Sequence, residues 1–470
     1  MYRAKLDKAT GDSDPSPETV SDLFHSLQTA ESKGDIAPVD SPNTPWSLAS
    51  SDASRVFQRR IENFTTGYAN LWRTAPGGPP RLEPGFSPGE QAERESRADR
   101  ESEQLKARLR QFPGRPEERA AWRANLLERA RQMAGRILNL DGRGLRLFFT
   151  AEGLEATQQC VNEARNFDPK LSEHSLHQAL RNLWVMQSIQ LLLQRPVALT
   201  PPVFGYSMLY PFTDNYLDDP DRSAESKWRF CEWLGLRLRD HRATPPDSHA
   251  AKVGRLIARI EATFPRAEFE EVYLSLAAIH AAQTDSLRQL NPDLAEDDLL
   301  ELTVRKGGTS VLADAYLVAG QLSEAEARFM FGYGVLLQLM DDLQDFADDL
   351  ASGHDTLFAR QAAVGHLDEL TSKFWQFSEA VLWSVTGFEA PVLHRVKALL
   401  RDNCKLLLLQ TVARNPGYYS AAFSENMEAC SPFSFSYMAK RQTTLHKEYS
   451  AIVSRLQHRG EIERALDFLN

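Results

Sequence analysis

Apolar residues recur every three to four positions along most of this chain, the spacing that places them on one face of an α-helix. The pattern is nearly continuous from residue 117 onward. It is strongest over residues 172–194, 203–219, 223–241, 267–290, 296–319, 323–350, 359–388, 391–413 and 434–457. Strand-like alternation with hairpin turns does not recur, and no fixed-period repeat is visible. The chain is therefore predicted to be all-α, a large helical bundle around a central apolar cavity.

The N-terminal part of the chain differs in composition from the rest. Residues 1–54 are rich in Ser, Asp, Pro and Thr, and they are predicted to be mostly disordered. An amphipathic helix is expected over 56–72, followed by a Pro- and Gly-rich linker over 75–90 and a highly charged helix over 89–111. The two predicted units are a partly disordered N-terminal extension with short helices and an α-helical domain, spanning residues 1–115 and 116–470.

Composition narrows the functional classes. Hydrophobic residues make up 42% of the chain, enough for a sizeable core. The formal net charge of −10 argues against nonspecific binding to nucleic acid, which requires neutralisation of phosphates. The four cysteines are widely spaced without a C-x-x-C pair, so reduced thiols and a cytoplasmic location are expected. No signal peptide is visible, and no apolar run is long enough for a transmembrane segment.

The first of two acidic clusters consists of Asp214, Asp218 and Asp219. Residues four apart share a face of a helix, so the first two carboxylates are expected to project together. An aromatic stretch that includes Tyr210 and Phe212 precedes the cluster. Carboxylates that follow so aromatic a segment are unusual for a solvated surface. These two aromatic residues are therefore predicted to line the cavity, and the three aspartates to bind metal.

The second acidic cluster consists of Asp341, Asp342 and Asp345, at the end of another apolar helical run. Asp341 and Asp345 are again four apart and share a face. Gln338 lies on that face one turn earlier, and we predict that it and Leu337 line the cavity. The three aspartates are predicted to bind metal.

Stacked carboxylates repel one another and are costly to bury unless a cation neutralises them. Mg2+ meets this need, since it binds one or two carboxylates and keeps positions for water and phosphate oxygens. Two such clusters that face each other would form a Mg2+–diphosphate clamp above an apolar cavity.

These residues resemble a known superfamily. The segment Phe331–Asp345, with Asp348, Asp349 and Gly353 after it, resembles the second aspartate-rich motif of trans-polyprenyl synthases. The first cluster resembles the first motif of squalene and phytoene synthases, and more loosely that of class I terpene synthases. The likeness covers roughly residues 170–415, and it implies the class I isoprenoid synthase fold.

A basic, glycine-containing segment lies between the two clusters. Arg305 and Lys306, followed by two glycines and Thr309, resemble the Lys-Thr segment of polyprenyl synthases, whose lysine contacts diphosphate. That resemblance predicts a kinked helix with both basic side chains at the diphosphate. The alternative is a surface turn with a helix break at Gly307 and Gly308.

Three further basic residues are candidates for diphosphate binding. Arg222 follows the first cluster by about one turn, and it either pairs with a neighbouring aspartate or reaches the diphosphate. Lys440 and Arg441 follow Tyr437 near the C-terminus. They form either a solvated basic face or, as in class I enzymes, a late helix that closes the site.

The resemblance implies a mechanism in which Asp214, Asp218, Asp341 and Asp345 bind three Mg2+ ions and ionise a prenyl diphosphate. Chain-elongating relatives have Gly-Lys-x-x-Arg before the first motif and Arg-Arg-Gly after it, and this chain has neither. It also lacks the Asn-Ser-Glu type of second motif of typical terpene synthases. A terpene synthase, a carbon–oxygen lyase, is therefore predicted. The alternatives are a head-to-head or chain-elongating trans-prenyltransferase and an inactive paralogue that acts as a scaffold. The sequence leaves open whether the protein is a homodimer.

Overall fold

The structure is a computed structural model that describes residues 52–441, except 79–81, 83–84, 110–114, 139, 220, 241, 291–293, 384–387 and 389–390. All regular secondary structure in this part is helical, which confirms the all-α prediction. None of the described helices is long and apolar enough to cross a membrane. The predicted disorder of 1–54 falls almost entirely outside the described residues.

The helices range from 7 to 29 residues in length and follow one another along the chain. The first eight are α1 (Asp52–Thr74), α2 (Pro88–Leu109), α3 (Pro116–Ile137), α4 (Gly142–Phe148), α5 (Ala151–Phe167), α6 (Glu173–Leu192), α7 (Pro201–Asp218) and α8 (Ala224–Arg239). The others are α9 (Ser248–Thr263), α10 (Glu270–Asp285), α11 (Glu296–Ala319), α12 (Glu324–Ser352), α13 (Leu357–Val364), α14 (Asp368–Trp383), α15 (Pro391–Arg414) and α16 (Ala421–Ala429). Residues 435–441 are also helical.

The helix expected over 359–388 is divided in the structure. α13 ends at Val364 and α14 begins at Asp368. Between them the Leu367 N–H donates to the Tyr418 carbonyl at 2.9 Å. The Asp368 carboxylate accepts hydrogen bonds from the backbone and hydroxyl of Ser420. These bonds to a distant segment replace the hydrogen bonds that a continuous helix would make.

Helix α11 lies at the centre of the bundle, where it packs against α1, α6, α7, α10 and α12. The alternative of a surface turn with a helix break at Gly307 and Gly308 is wrong, because α11 continues through both residues to Ala319. Instead the glycines allow close approach to α12. A Cβ atom on Gly307 would lie 2.7 Å from the Gly334 carbonyl oxygen, too close for a side chain. Because these glycines have no side chain, α11 and α12 approach each other closely, and Lys306 lies next to α12.

Helix α1 is part of this core, although the sequence assigned it to the extension. Its side chains Phe57, Phe64 and Trp72 are buried. Phe64 packs against Phe331 of α12 at a ring distance of 5.5 Å. Trp72 packs edge-on against Phe377 of α14, also at 5.5 Å. The predicted boundary at 115/116 thus places α1 in a different unit from α12 and α14, although α1 packs on their apolar side chains.

Candidate active site

The second acidic cluster lies on α12, partly buried against the rest of the bundle. Asp342 is buried, and burial, with a smaller effect of the Asp341 carboxylate, raises its pKa from 3.8 to about 7. The Gln338 amide donates to its Oδ1 at 2.8 Å. Its Oδ2 has no hydrogen-bond partner among the described residues. One carboxylate oxygen is thus held in place, and the other is a buried polar atom whose hydrogen bonding the described residues leave unsatisfied.

Asp349, in the tail of the second motif, lies one turn after Asp345 on the same helix. Its pKa is raised to about 7, first by burial and then by the carboxylates of Asp342, Asp345 and Asp341. Its neighbour Asp348 is exposed. Four carboxylates on one helix therefore repel one another, which is the condition that a divalent cation relieves.

Tyr210 of α7 connects the two acidic clusters. Its hydroxyl hydrogen bonds to the Asp214 carboxylate. Burial raises the Tyr210 pKa most, and the carboxylates of Asp214 and Asp341 raise it further. Charges act strongly on a buried group because the interior screens them less than water does, so carboxylates of both clusters influence this one hydroxyl. Asp214 belongs to the helix of Tyr210 itself, α7, and Asp341 belongs to α12.

Lys306 of α11 faces the second cluster. Its positive charge opposes the rise in the Asp342 pKa. It also helps to lower the pKa of His354 to about 4, although burial is the larger cause there. Arg305 points elsewhere, since its guanidinium pairs with Asp285 at 3.6 Å. Of this basic pair, the structure brings Lys306 to the acidic face and engages Arg305 with α10.

Asp219 of the first cluster is engaged in a local ion pair. Asp219 follows α7 and pairs with Arg222, with 3.1 Å between Oδ2 and Nε. The Arg222 guanidinium also lies 3.9 Å from the centre of the Tyr216 ring. These contacts favour the structural interpretation of Arg222 over diphosphate binding. Asp218 is the last residue of α7, and its side chain lies outside the described residues.

The two other residues predicted to line the cavity pack into the core. Phe212 is buried, with its ring 5.7 Å from that of Phe167 in α5 and stacked on His249 of α9. It follows Tyr210 by two residues, so it points to the opposite side of α7. Leu337 is partly buried and packs against the same hydrophobic core. The structure therefore separates Phe212 from the acidic face.

The C-terminal basic residues are held against α2. Arg441 pairs with Asp99 at 3.5 Å, and the Tyr437 hydroxyl donates to the same carboxylate at 2.8 Å. Ser434, just before them, donates its N–H to Glu95 of α2 at 2.8 Å. These contacts attach the segment that contains Lys440 and Arg441 to the N-terminal helices.

Sequence reasoning missed a set of polar residues on α6 and α11. The positive charge of Arg181 lowers the Tyr210 pKa, so it lies near the hydroxyl that both clusters approach. Next to it, Asn182 hydrogen bonds to Asp314 and accepts from Ser207 at 3.0 Å. Asp314 is fully buried, which raises its pKa well above the usual range. Their position as polar residues inside strongly apolar helical segments is the sequence signal that could have identified them.

The donor chemistry fits Mg2+. The available groups are carboxylates, and the buried Oδ2 of Asp342 lacks a partner in the described part of the chain. No three His, Cys, Asp or Glu side chains converge on a single metal position among the described residues. Mg2+ often binds through only one or two carboxylates, with water and phosphate oxygens completing its shell. The residues present suit that mode of binding.

Two cavities in the described structure lie away from this site. One of about 500 Å3 lies between α2 and α3, and another of about 600 Å3 lies between α1, α12 and α14. The apolar cavity that was predicted beneath the acidic clusters is neither of them.

Comparison with known proteins gives no relative. No family model, no curated protein and no solved structure matches this chain.

Proposed function

We propose that this protein is a Mg2+-dependent terpene synthase that ionises a prenyl diphosphate and releases a hydrocarbon or an alcohol. One observation carries the proposal: the Tyr210 hydroxyl is within electrostatic reach of carboxylates from both acidic clusters. Two carboxylate sets that approach one point from different helices suit a Mg2+–diphosphate clamp. Lys306 beside Asp342 adds a cation where a diphosphate would bind.

Each residue then has a distinct task. Asp214 on one side, and Asp341, Asp342 and Asp345 on the other, would hold Mg2+, which when bound neutralises the diphosphate leaving group. Lys306 would hold diphosphate oxygens through its ammonium group. Gln338 fixes the orientation of Asp342 by its hydrogen bond.

The positions of the arginines favour a lyase over a prenyltransferase. Chain elongation requires a second diphosphate site with its own cations. The stretch from Pro196 to Asp221 contains no Lys or Arg. Arg222 is engaged with Asp219 and Tyr216, and Arg305 with Asp285. Among the described residues, Arg181 near Tyr210 and Lys306 near Asp342 are then the basic residues beside the two clusters, and such a pair suits one diphosphate better than two.

The test is to incubate the protein with a panel of allylic prenyl diphosphates, with and without Mg2+ and with and without isopentenyl diphosphate. We expect pyrophosphate release and a hydrocarbon or alcohol from one allylic substrate plus Mg2+ alone. Asp341→Ala should abolish turnover and keep the helical content, whereas Asp348→Ala, an exposed neighbour on the same helix, should retain activity. A longer diphosphate formed only with isopentenyl diphosphate would establish the prenyltransferase alternative. No pyrophosphate release from any substrate would favour the scaffold.

A further inference from the structure

A groove between α2 and α3 has an unusual charge. It has a volume of about 500 Å3. Its lining contains one acidic residue, Glu101, and five arginines, Arg97, Arg100, Arg108, Arg129 and Arg136. We call this feature the arginine groove. Its side chains leave a formal excess of four positive charges in a space large enough for a small ligand.

Two of these arginines converge on one neutral atom. Arg108 donates to the Asn125 side-chain oxygen at 3.3 Å, and Arg129 donates to the same oxygen at 3.2 Å. The two guanidinium groups are therefore close together, and an amide oxygen cannot neutralise them. The two positive charges repel each other at this separation. An anion bound between them would attract both and offset that repulsion.

Two carboxylates beside the groove are already engaged. Glu128 pairs with Arg131 at 2.5 Å and accepts from Gln132 at 2.9 Å. Glu93 pairs with Arg97 at 2.7 Å. Within the described part of the chain, none of the other four groove arginines forms an ion pair with a carboxylate. Among the described residues, Glu93 and Glu101 thus compensate only part of the positive charge of the groove.

We infer that the arginine groove is a binding site for a phosphoryl-bearing anion of the diphosphate class. Guanidinium groups bind phosphate oxygens in pairs of parallel hydrogen bonds, and several around one cavity select for multiple negative charges. The groove lies on α2 and α3, whereas the candidate active site lies on α7, α11 and α12, so the two sites are distinct. The ligand is either a soluble diphosphate or the phosphate headgroup of an anionic lipid, which present the same chemistry.

Isothermal titration of the full chain with sodium pyrophosphate, in EDTA to remove divalent cations, tests the site. We expect the double variant Arg108→Gln/Arg129→Gln to bind pyrophosphate at least tenfold more weakly than the unaltered protein. Arg100→Gln alone should also weaken binding, and it tests the site independently should the double variant fail to fold. Arg115→Gln is the matched control, because this exposed arginine precedes α3, pairs with Glu118 and does not line the groove.

Vesicles distinguish the two sources of the phosphoryl group. Retention on phosphatidic acid–phosphatidylcholine vesicles, competed by pyrophosphate and lost in Arg100→Gln, identifies a lipid headgroup. Pyrophosphate binding without vesicle retention identifies a soluble anion. The inference is overturned if neither probe binds, if the groove variants bind as well as the unaltered protein, or if Arg115→Gln weakens binding equally. None of these outcomes depends on turnover, so they are separate from the test of the proposed function.

Discussion

The crossing of α11 and α12 at Gly307 offers a direct test of the packing argument. A Cβ atom added there would lie 2.5 Å from the Gln338 Cβ and 2.7 Å from the Gly334 carbonyl oxygen. Ordinary contacts begin at 3.4 Å, so the helices must separate by close to 1 Å. One of the opposing atoms is backbone, and rotation of a side chain therefore cannot relieve the clash.

We expect Gly307→Ala to lower the free energy of unfolding. Overpacking costs about 1–3 kcal/mol, and the better helix propensity of alanine returns up to about 1 kcal/mol. The net loss should be about 1 kcal/mol and at most about 2 kcal/mol, measured by urea unfolding followed by circular dichroism. The control is Gly67→Ala in α1, where no atom lies within 4 Å of the added Cβ and a gain of about 0.5–1 kcal/mol is expected.

The contrast between the two variants decides the question. Equal stabilisation by both substitutions would refute the close approach of α11 and α12 at Gly307. The same separation would move Lys306 away from Asp342, so we also expect Gly307→Ala to lose any activity that depends on this pair. Gly67→Ala should keep it.

Two further predictions concern buried charges. The folded state keeps a proton on Asp342 up to about pH 7 that the unfolded chain releases near pH 4, so in EDTA stability should fall as the pH rises through this window. Asp342→Asn should remove up to about 4 kcal/mol of this pH-dependent loss of stability. Parallel curves of unfolding free energy against pH for the variant and the unaltered protein would contradict the prediction. Glu261 accepts two hydrogen bonds from the buried Arg237, so Glu261→Gln should cost about 3–5 kcal/mol in chemical unfolding. The control is Glu225→Gln, which breaks the exposed pair of Glu225 with Arg229 and should cost less than about 0.5 kcal/mol. Similar costs for Glu261→Gln and Glu225→Gln would refute the reasoning.

The periodicity of apolar residues was sufficient to predict the helices, since most are amphipathic and bury one face. The shared-face argument also anticipated that Asp341 and Asp345 lie together, because both are on one continuous helix. Predictions failed where distant segments decide local structure. α13 ends at its C-cap Gly365, and the residues after it are held by hydrogen bonds to Tyr418 and Ser420, about fifty residues later. No local pattern encodes those bonds.

Glycine and polar residues in the core were harder to interpret from the sequence. A Gly-Gly pair weakens a helix locally, and only the packing of α12 shows that Gly307 and Gly308 serve a close crossing instead. Asn182 and Asp314 are far apart in sequence, and they meet because α6 and α11 pack together. Their contact could not be predicted from spacing within either helix.

The status of α1 leads to a final prediction about the N-terminal boundary. Phe57, Ile61, Phe64, Tyr68 and Trp72 are all buried against the helices that follow. At roughly 1.5–3 kcal/mol for each buried side chain, their removal would cost about 10 kcal/mol, comparable to the whole stability of a typical domain. A chain that begins at residue 116 should therefore fail to unfold cooperatively, whereas one that begins at residue 52 should unfold like the full chain. A cooperative, native-like thermal transition from the shorter chain would show that α1 is an accessory to the core and that the 115/116 boundary is right.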